Sequence, residues 1–167
     1  MKMTKLYRMF SEGEGFMDIK RDKYLNDLIN RMHNGMIKVV TGIRRCGKSY
    51  LLFNIFKNYL LEQGVPASHI IMIELDQRKN KKYRDPDVIL DYIESLIEED
   101  GQYYIMLDEV QMLQEFEEVL NSLLHIRNAD VYVTGSNSKF LSKDVITEFR
   151  GRGDEIHIYP LTFKEFM

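Results

Sequence analysis

Apolar side chains along this chain follow two alternating rhythms. Short runs of β-branched and aromatic residues, of strand length, are separated by longer stretches in which apolar positions recur every three or four residues. Tyr24, Leu25, Leu28, Ile29 and Met32 form the first helical stripe, which Asn34-Gly35 stops. A strand is expected over Met36 to Thr41, ending at Gly42. Leu51, Leu52, Ile55, Phe56, Tyr59 and Leu60 then recur at helical spacing, with Gly64 and Pro66 as the stop. Ile70 to Leu75 reads as a second strand, and the charged stretch Gln77 to Asp85 as a loop, because it offers no apolar face. Asp85 and Pro86 are expected to cap a helix whose stripe is Ile89, Leu90, Ile93, Leu96 and Ile97, closed by Gly101. A third strand, Tyr103 to Leu107, leads to a helix carrying Phe116, Val119, Leu120, Leu123 and Leu124. Val131 to Thr134 reads as a fourth strand, Leu141 to Phe149 as a weaker helix, and Glu155 to Tyr159 as a fifth strand.

Strands alternating with helices predict a parallel sheet covered on both faces, joined by right-handed crossovers. With 167 residues, 44% hydrophobic and 29% charged, the chain can bury one core without disulfides or a structural metal. Residues 1–16 lack periodicity and are expected to be a disordered tail ahead of a domain over 17–167. Thr162-Phe163-Lys164-Glu165 fits a capping box at a helix start. A helix begun at Thr162, with the sequence stopping two residues after Glu165, suggests the front part of a longer protein.

Charge and composition narrow the function classes. A formal net charge of -3 gives no global positive field toward nucleic acid or an acidic membrane. The apolar runs are far shorter than a bilayer span, so no membrane association is expected. Cys46 is the only cysteine, and the four histidines show no zinc-like pairing. A cytoplasmic location is expected.

The chemistry begins at Gly42-Ile43-Arg44-Arg45-Cys46-Gly47-Lys48-Ser49, which matches G-x-x-x-x-G-K-[ST], between an expected strand and an expected helix. The glycines let successive N–H groups point at one anion, Lys48 can reach terminal phosphates, and Ser49 can ligate Mg²⁺. The run through Tyr50 is taken as nucleotide-contacting. At the end of the third expected strand, Asp108 can hold Mg²⁺ and Glu109 can orient or deprotonate an attacking water. Ser136 and Asn137, after the fourth strand, are placed to feel a terminal phosphate, or to cap the next helix. Arg78, Lys79, Lys81, Lys82 and Arg84 read either as a solvated loop or as a grip on nucleic-acid phosphates. Cys46 reads as a small residue that fits the loop, with redox control as the alternative.

Taken together, Thr41 to Ser49, Asp108-Glu109-Val110-Gln111, Thr134 to Ser138, and Gly151-Arg152 leading to Tyr159-Pro160-Leu161-Thr162-Phe163-Lys164-Glu165 resemble the prokaryotic AAA-like ATPases related to STAND signalling ATPases. The resemblance covers about Ile19 to Met167. It implies a three-layer α/β P-loop NTPase fold with a central five-stranded, mostly parallel sheet in the additional-strand order of RecA and AAA proteins. It also implies ATP and Mg²⁺ as cofactors and a following region, ending in a C-terminal domain of unknown function. By position, Lys48 and Ser49 fall on nucleotide and metal, Asp108 and Glu109 on metal and water, and Ser136 or Asn137 on the sensor. Arg150 or Arg152 falls on a charge-neutralising arginine, and Arg21 to Leu25, with Tyr24, on the adenine.

The leading expectation is Mg²⁺-dependent ATP hydrolysis coupled to a conformational switch, slow in this isolated domain. The alternatives are a small-molecule P-loop phosphotransferase and a nucleotide sensor with negligible turnover. ATP and ADP are the expected partners, with self-association if the arginine acts across a subunit boundary. The client, protein or nucleic acid, is not legible.

Overall fold

The computed structural model describes residues 21–98, 100–136 and 151–160. The expected tail, the weaker helix over 141–149 and the capping box lie outside them. Helix α1 spans Asp22–Asn30 and strand β1 Ile37–Thr41. Helix α2 runs unbroken through Lys48–Tyr50, Leu51–Phe56 and Lys57–Glu62, its middle third wound as π-helix. Strand β2 is Ile70–Glu74, helix α3 Pro86–Leu96, strand β3 Tyr103–Asp108, helix α4 Phe116–Leu124, strand β4 Ala129–Gly135 and strand β5 Gly153–His157.

All four strand pairings are parallel, in the order β2-β3-β4-β1-β5. Alternation along the strands sorts side chains onto two apolar faces. Ile37 and Val39, Ile105 and Leu107, and Val131 and Val133 pack with Ile89 and Ile93 of α3 and Phe116, Val119, Leu120 and Leu123 of α4. On the other face, Val40, Tyr104, Met106 and Tyr132 pack with Leu28 of α1 and Leu51, Leu52, Phe56 and Leu60 of α2. This is the three-layer α/β arrangement expected. Because every strand points the same way, the loops that leave β1, β3 and β4 emerge at one edge of the sheet.

Two expectations change. The charged stretch after β2 is an ordered 3₁₀ helix, Arg78–Arg84. It has no apolar stripe because Tyr83, ring to ring with Tyr92 at 4.6 Å, is its one apolar contact. β5 begins two residues earlier than the alternation suggests, because pairing starts where its neighbour does: Ile37 N–H donates to Arg152 O at 2.7 Å and Ile37 faces Gly153. The expected cap of α3 is present, with Asp85 Oδ1 accepting from the amides of Asp87 and Val88 at 3.0 and 3.1 Å.

At the opposite edge from the loops, Lys38 lies wholly buried in β1. Its ammonium pairs with the Asp130 carboxylate, donates to Met36 O at 2.7 Å and sits 4.9 Å from the Tyr132 ring. Asp130 also accepts from Tyr132 OH at 2.5 Å and from His33 N–H at 3.0 Å. Burial pushes the lysine pKa down against the opposing pull of Asp130, and pushes that of the Tyr132 phenol up. Removing one member of such a pair strands the other charge, at a cost of about 3–5 kcal/mol. Lys38→Met should therefore destabilise the chain by that amount in urea unfolding, and Lys38→Met/Asp130→Asn by clearly less than the sum of the single variants. Additive losses would show that the two side chains do not act as a pair.

Candidate functional site

The loop between β1 and α2 curls tightly, and its glycines are structural requirements. Gly42 has φ of +150°, and a Cβ there would lie 2.5 Å from Ile158 O and 2.7 Å from Cys46 Sγ. Gly47, with φ of +94°, precedes the first turn of α2. Arg45 also adopts a left-handed φ of 65°, uncommon for a non-glycine residue. Inside the curl, Lys48 Nζ donates to Gly42 O at 3.0 Å and to Ile43 O at 2.8 Å, and its side chain is buried. Cys46 is buried against the same curl, which matches its reading as a residue that fits the loop. Ile43 and Tyr50 are more than half exposed at the rim.

Register places Asp108, last residue of β3, beside this loop. Ser49 Oγ donates to Asp108 Oδ1 at 2.7 Å and reaches Oδ2 at 2.9 Å. Thr134 Oγ1, from β4, donates to the same Oδ1 at 2.5 Å and accepts the Glu109 N–H at 2.9 Å. Burial pushes the Asp108 carboxyl above the ordinary aspartate range, and the nearby charges of Glu109 and Asp76 act in the same direction. The hydrogen bonds from Thr134 and Ser49 oppose that rise.

Glu109 holds a left-handed φ of 54° directly after the strand. Such conformations cost of order 1–3 kcal/mol and are retained where surrounding contacts over-determine them. Here the carboxylate accepts from Ser136 Oγ at 2.9 Å and from the Gln111 amide. The other end of Gln111, Oε1, is buried with no hydrogen-bond partner among the described residues.

A second set of contacts closes the loop from the side. Arg21 Nη2 donates to Cys46 O at 2.8 Å and Nη1 to Tyr159 O at 3.4 Å, while its guanidinium lies 5.4 Å from the Tyr24 ring. Tyr24 OH in turn accepts the Tyr159 N–H at 3.2 Å. The start of α1, the glycine-rich loop and the exit from β5 are thereby joined at one point.

The structure thus brings together Gly42 through Ser49, Asp108, Glu109 and Ser136, with Tyr24 at the flank. It does not bring Arg152 to this group. Arg152 precedes β5, beside the first residue of β1, and Nη1 donates to Asn121 Oδ1 of α4 at 3.1 Å. Asn137 and Arg150 lie outside the described residues. Sequence reasoning quoted Thr134 and Gln111 only as members of longer strings and read Arg21 only as part of the adenine-flanking stretch; the contacts of Thr134 and Arg21 cross between elements, and that of Gln111 depends on the left-handed turn at Glu109, so no local motif marks them.

The hydroxyl and carboxylate pair of Ser49 and Asp108 suits a hard cation that prefers oxygen ligands, and Mg²⁺ is commonly held by few protein oxygens together with phosphates and water. Among the described residues no group of three or more His, Cys, Asp or Glu side chains converges as a metal cage. A glycine-rich loop at the end of β1, leading into a helix and facing a carboxylate-bearing β3 in a 2-3-4-1-5 parallel sheet, is the arrangement of a P-loop NTPase fold.

Comparison with known proteins agrees and narrows this. A family model described as an AAA domain matches residues 34–167, and the chain belongs to that family. An uncharacterised protein of Haemophilus influenzae is 35% identical over 150 residues, covering 89% of this chain and 37% of that protein. One from Methanocaldococcus jannaschii is 29% identical over 153 residues, covering 89% of this chain and 32% of its own length. The chain therefore spans about a third of the length of these relatives. Among solved structures, Saccharomyces cerevisiae Hsp104 in its casein complex superposes with a TM-score of 0.61 at 14% identity, over 87% of this chain and 28% of that one. Caenorhabditis elegans PCH-2 gives 0.55 at 15% identity, over 82% and 40%. The shared fold is that of AAA+ ATPase modules.

The raised Asp108 pKa has a sign that can be checked. A carboxyl that titrates higher folded than unfolded takes up protons on folding. Its contribution improves as pH falls through the window between the two values, and the full penalty is present above it. Asp108→Asn keeps an acceptor for Ser49 and Thr134 while removing the buried charge. The ligand-free variant should melt higher than wild type at neutral pH, by about 2–4 °C for each ~1 kcal/mol relieved, and the gap should narrow on acidification. An unchanged or lower melting temperature in calorimetry would count against a desolvated carboxylate at this position.

Proposed function

We propose that this domain binds Mg²⁺–ATP and hydrolyses it, the hydrolysis driving a conformational switch. The observation that carries the reading is the 2.7 Å contact of Ser49 with Asp108, which joins the phosphate-binding loop to an acidic strand end with Glu109 next in sequence. The amides of the Gly42–Ser49 loop and Lys48 receive the phosphates. Ser49 and Asp108 would hold the Mg²⁺. Bound there, the metal supplies neutralisation of charge on the phosphate oxygens. Glu109 takes a proton from the attacking water as the water oxygen bonds to the γ-phosphorus and the bond to ADP breaks. Ser136, already bonded to the Glu109 carboxylate, senses whether the terminal phosphate is there.

An adjacent acidic pair suits transfer to water better than transfer to a small acceptor, and so weighs against a phosphotransferase. The same contacts also favour a second reading. Ser136 and Gln111 both donate to Glu109 Oε2, and two donors on that oxygen lower the basicity of the carboxylate, which favours a nucleotide sensor of low turnover. Lys48→Ala should lose ATP affinity at least tenfold in calorimetry. Glu109→Gln should retain Mg²⁺–ATP binding and lose hydrolysis by about 10²–10⁴. Normal turnover by Glu109→Gln would remove the water-activating role, and wild type with ATP bound but no measurable turnover would leave the sensor reading in possession.

Arg152, at the far edge of the sheet from the loop, fits this scheme as an arginine given to the site of another copy. Arginines supplied in this way are worth about 10³–10⁵ in rate. Lys48→Ala protein, with arginines intact, mixed with Arg152→Ala protein, with its site intact, should then recover ATPase activity that neither has alone. A mixture as inactive as its components, beside an active wild type at equal concentration, would overturn donation in trans.

A further inference from the structure

The 3₁₀ helix Arg78–Arg84 is not used by any of the chemistry above, and its charge is unspent. Five of its seven residues are cationic, in a chain whose net charge is -3. Arg78, Lys79, Lys81 and Lys82 are exposed, and among the described residues none of the five forms an ion pair with a carboxylate. Lys82 lies 4.9 Å from the Tyr83 ring, and Arg84 is turned inward onto the carbonyls of Leu75 and Asp76. An ordinary solvated run would be expected to pair some of its charge with neighbouring acids or to wander. This segment does neither, because its backbone is held at both ends. Asn80 Nδ2 donates to Glu74 O at 2.9 Å, Arg84 Nε to Leu75 O at 2.8 Å, and Gln114 N–H to Arg84 O at 3.0 Å.

Between this segment and the turn after β3 lies an open depression of about 600 Å³, lined by Lys81, Lys82, Arg84, Asp85, Met112 and Gln114. The acidic member, Asp85, has one carboxylate oxygen committed to the first amides of α3. Seven 3₁₀ residues at a rise of about 2.0 Å extend for roughly 14 Å. One strand of a B-form duplex presents a phosphate about every 3.4 Å along the helix axis, hence about four charges over that length, against four exposed cations. Of the six lining residues, three are cationic and only Met112 has an apolar side chain.

We propose that Arg78–Arg84 and the depression beside it form a nucleic-acid docking surface that reads the phosphate backbone without base specificity. None of the residues that line it belongs to the phosphate loop.

Fluorescence anisotropy with the whole chain and a labelled DNA duplex of about 20 base pairs, titrated between about 50 and 200 mM salt, tests this. Wild type should bind with a log–log salt slope of about -3.6, the value for about four contacts at ~0.9 each on B-form DNA. Lys79→Ala/Lys81→Ala/Lys82→Ala removes only exposed side chains, so its melting temperature should match wild type. Its affinity at the lowest salt should fall at least tenfold and its slope should drop to about -1, while Lys48→Ala binds the duplex as wild type does. No wild-type binding at the lowest salt would overturn the proposal, as would an unchanged triple variant or loss of binding in Lys48→Ala instead. Equal or tighter wild-type binding to polyglutamate or to anionic phosphatidylserine vesicles would also overturn it, by assigning the surface to an acidic protein or a membrane.

Discussion

Ser49 and Asp108 stand 59 positions apart in the chain and meet at 2.7 Å, and the functional edge of the molecule is organised around that meeting. The contact requires β1 and β3 to run in the same direction with β4 between them, so that the loop leaving one strand overhangs the last residue of the other. Thr134 occupies the intervening strand and bonds to the carboxylate and to the amide of Glu109. Two strands and the first turn of α2 thus contribute to a single buried anion. Burying that anion costs stability, and hydroxyl donors offset part of the cost without neutralising the charge. A site that waits for a cation is expected to be arranged in this way, since a paired lysine or arginine would satisfy the carboxylate and leave it nothing to bind.

The neighbouring residues divide between those that shape the loop and those that restrain chemistry. Arg21 reaches the loop from outside through Cys46 O and holds the β5 exit through Tyr159 O, so the loop's outer wall is continuous with α1. Glu109 is restrained from within, by Ser136 and Gln111. Arg152 faces α4 at the other edge of the sheet. On the reading proposed above, the groups assigned to phosphate and to water lie within one fold, and Arg152 lies at the opposite rim.

Much of this was legible in one dimension. The glycine-rich loop is a contiguous motif, and its physics is local: Gly42 is obligatory because Ile158 O and the Cys46 sulfur leave no space for a Cβ. Asp108-Glu109 announced itself as two acids closing an apolar run, and the α3 cap as Asp85-Pro86. The five strands followed from β-branched runs between helical stripes. What escaped has a common cause. Lys38 inside β1 reads as a solvent-facing position until register sets it against β4, and Asp130 sits near the start of a strand like any surface acid. Thr134 and Gln111 are ordinary polar residues whose partners are settled only by packing. The Arg78–Arg84 helix lacks an apolar period, since one tyrosine makes its apolar contact, and a pattern built on periodicity returns a loop.

The buried ammonium of Lys38 also bears on how the chain finds its alignment. Strands rich in valine and isoleucine can slide past one another with little penalty, and a slip of one residue turns every side chain to the opposite face. A slip of β1 would carry Lys38 from the side where Asp130 waits to the side where the packed residues are aliphatic and aromatic, with no counter-charge to meet it. The same slip would move Gly42 off the Ile158 carbonyl and pull the loop away from Asp108. An ion pair at one rim of the sheet thus penalises misaligned topologies that would otherwise misplace a phosphate-binding loop at the other, acting as an alignment key for a site it never touches.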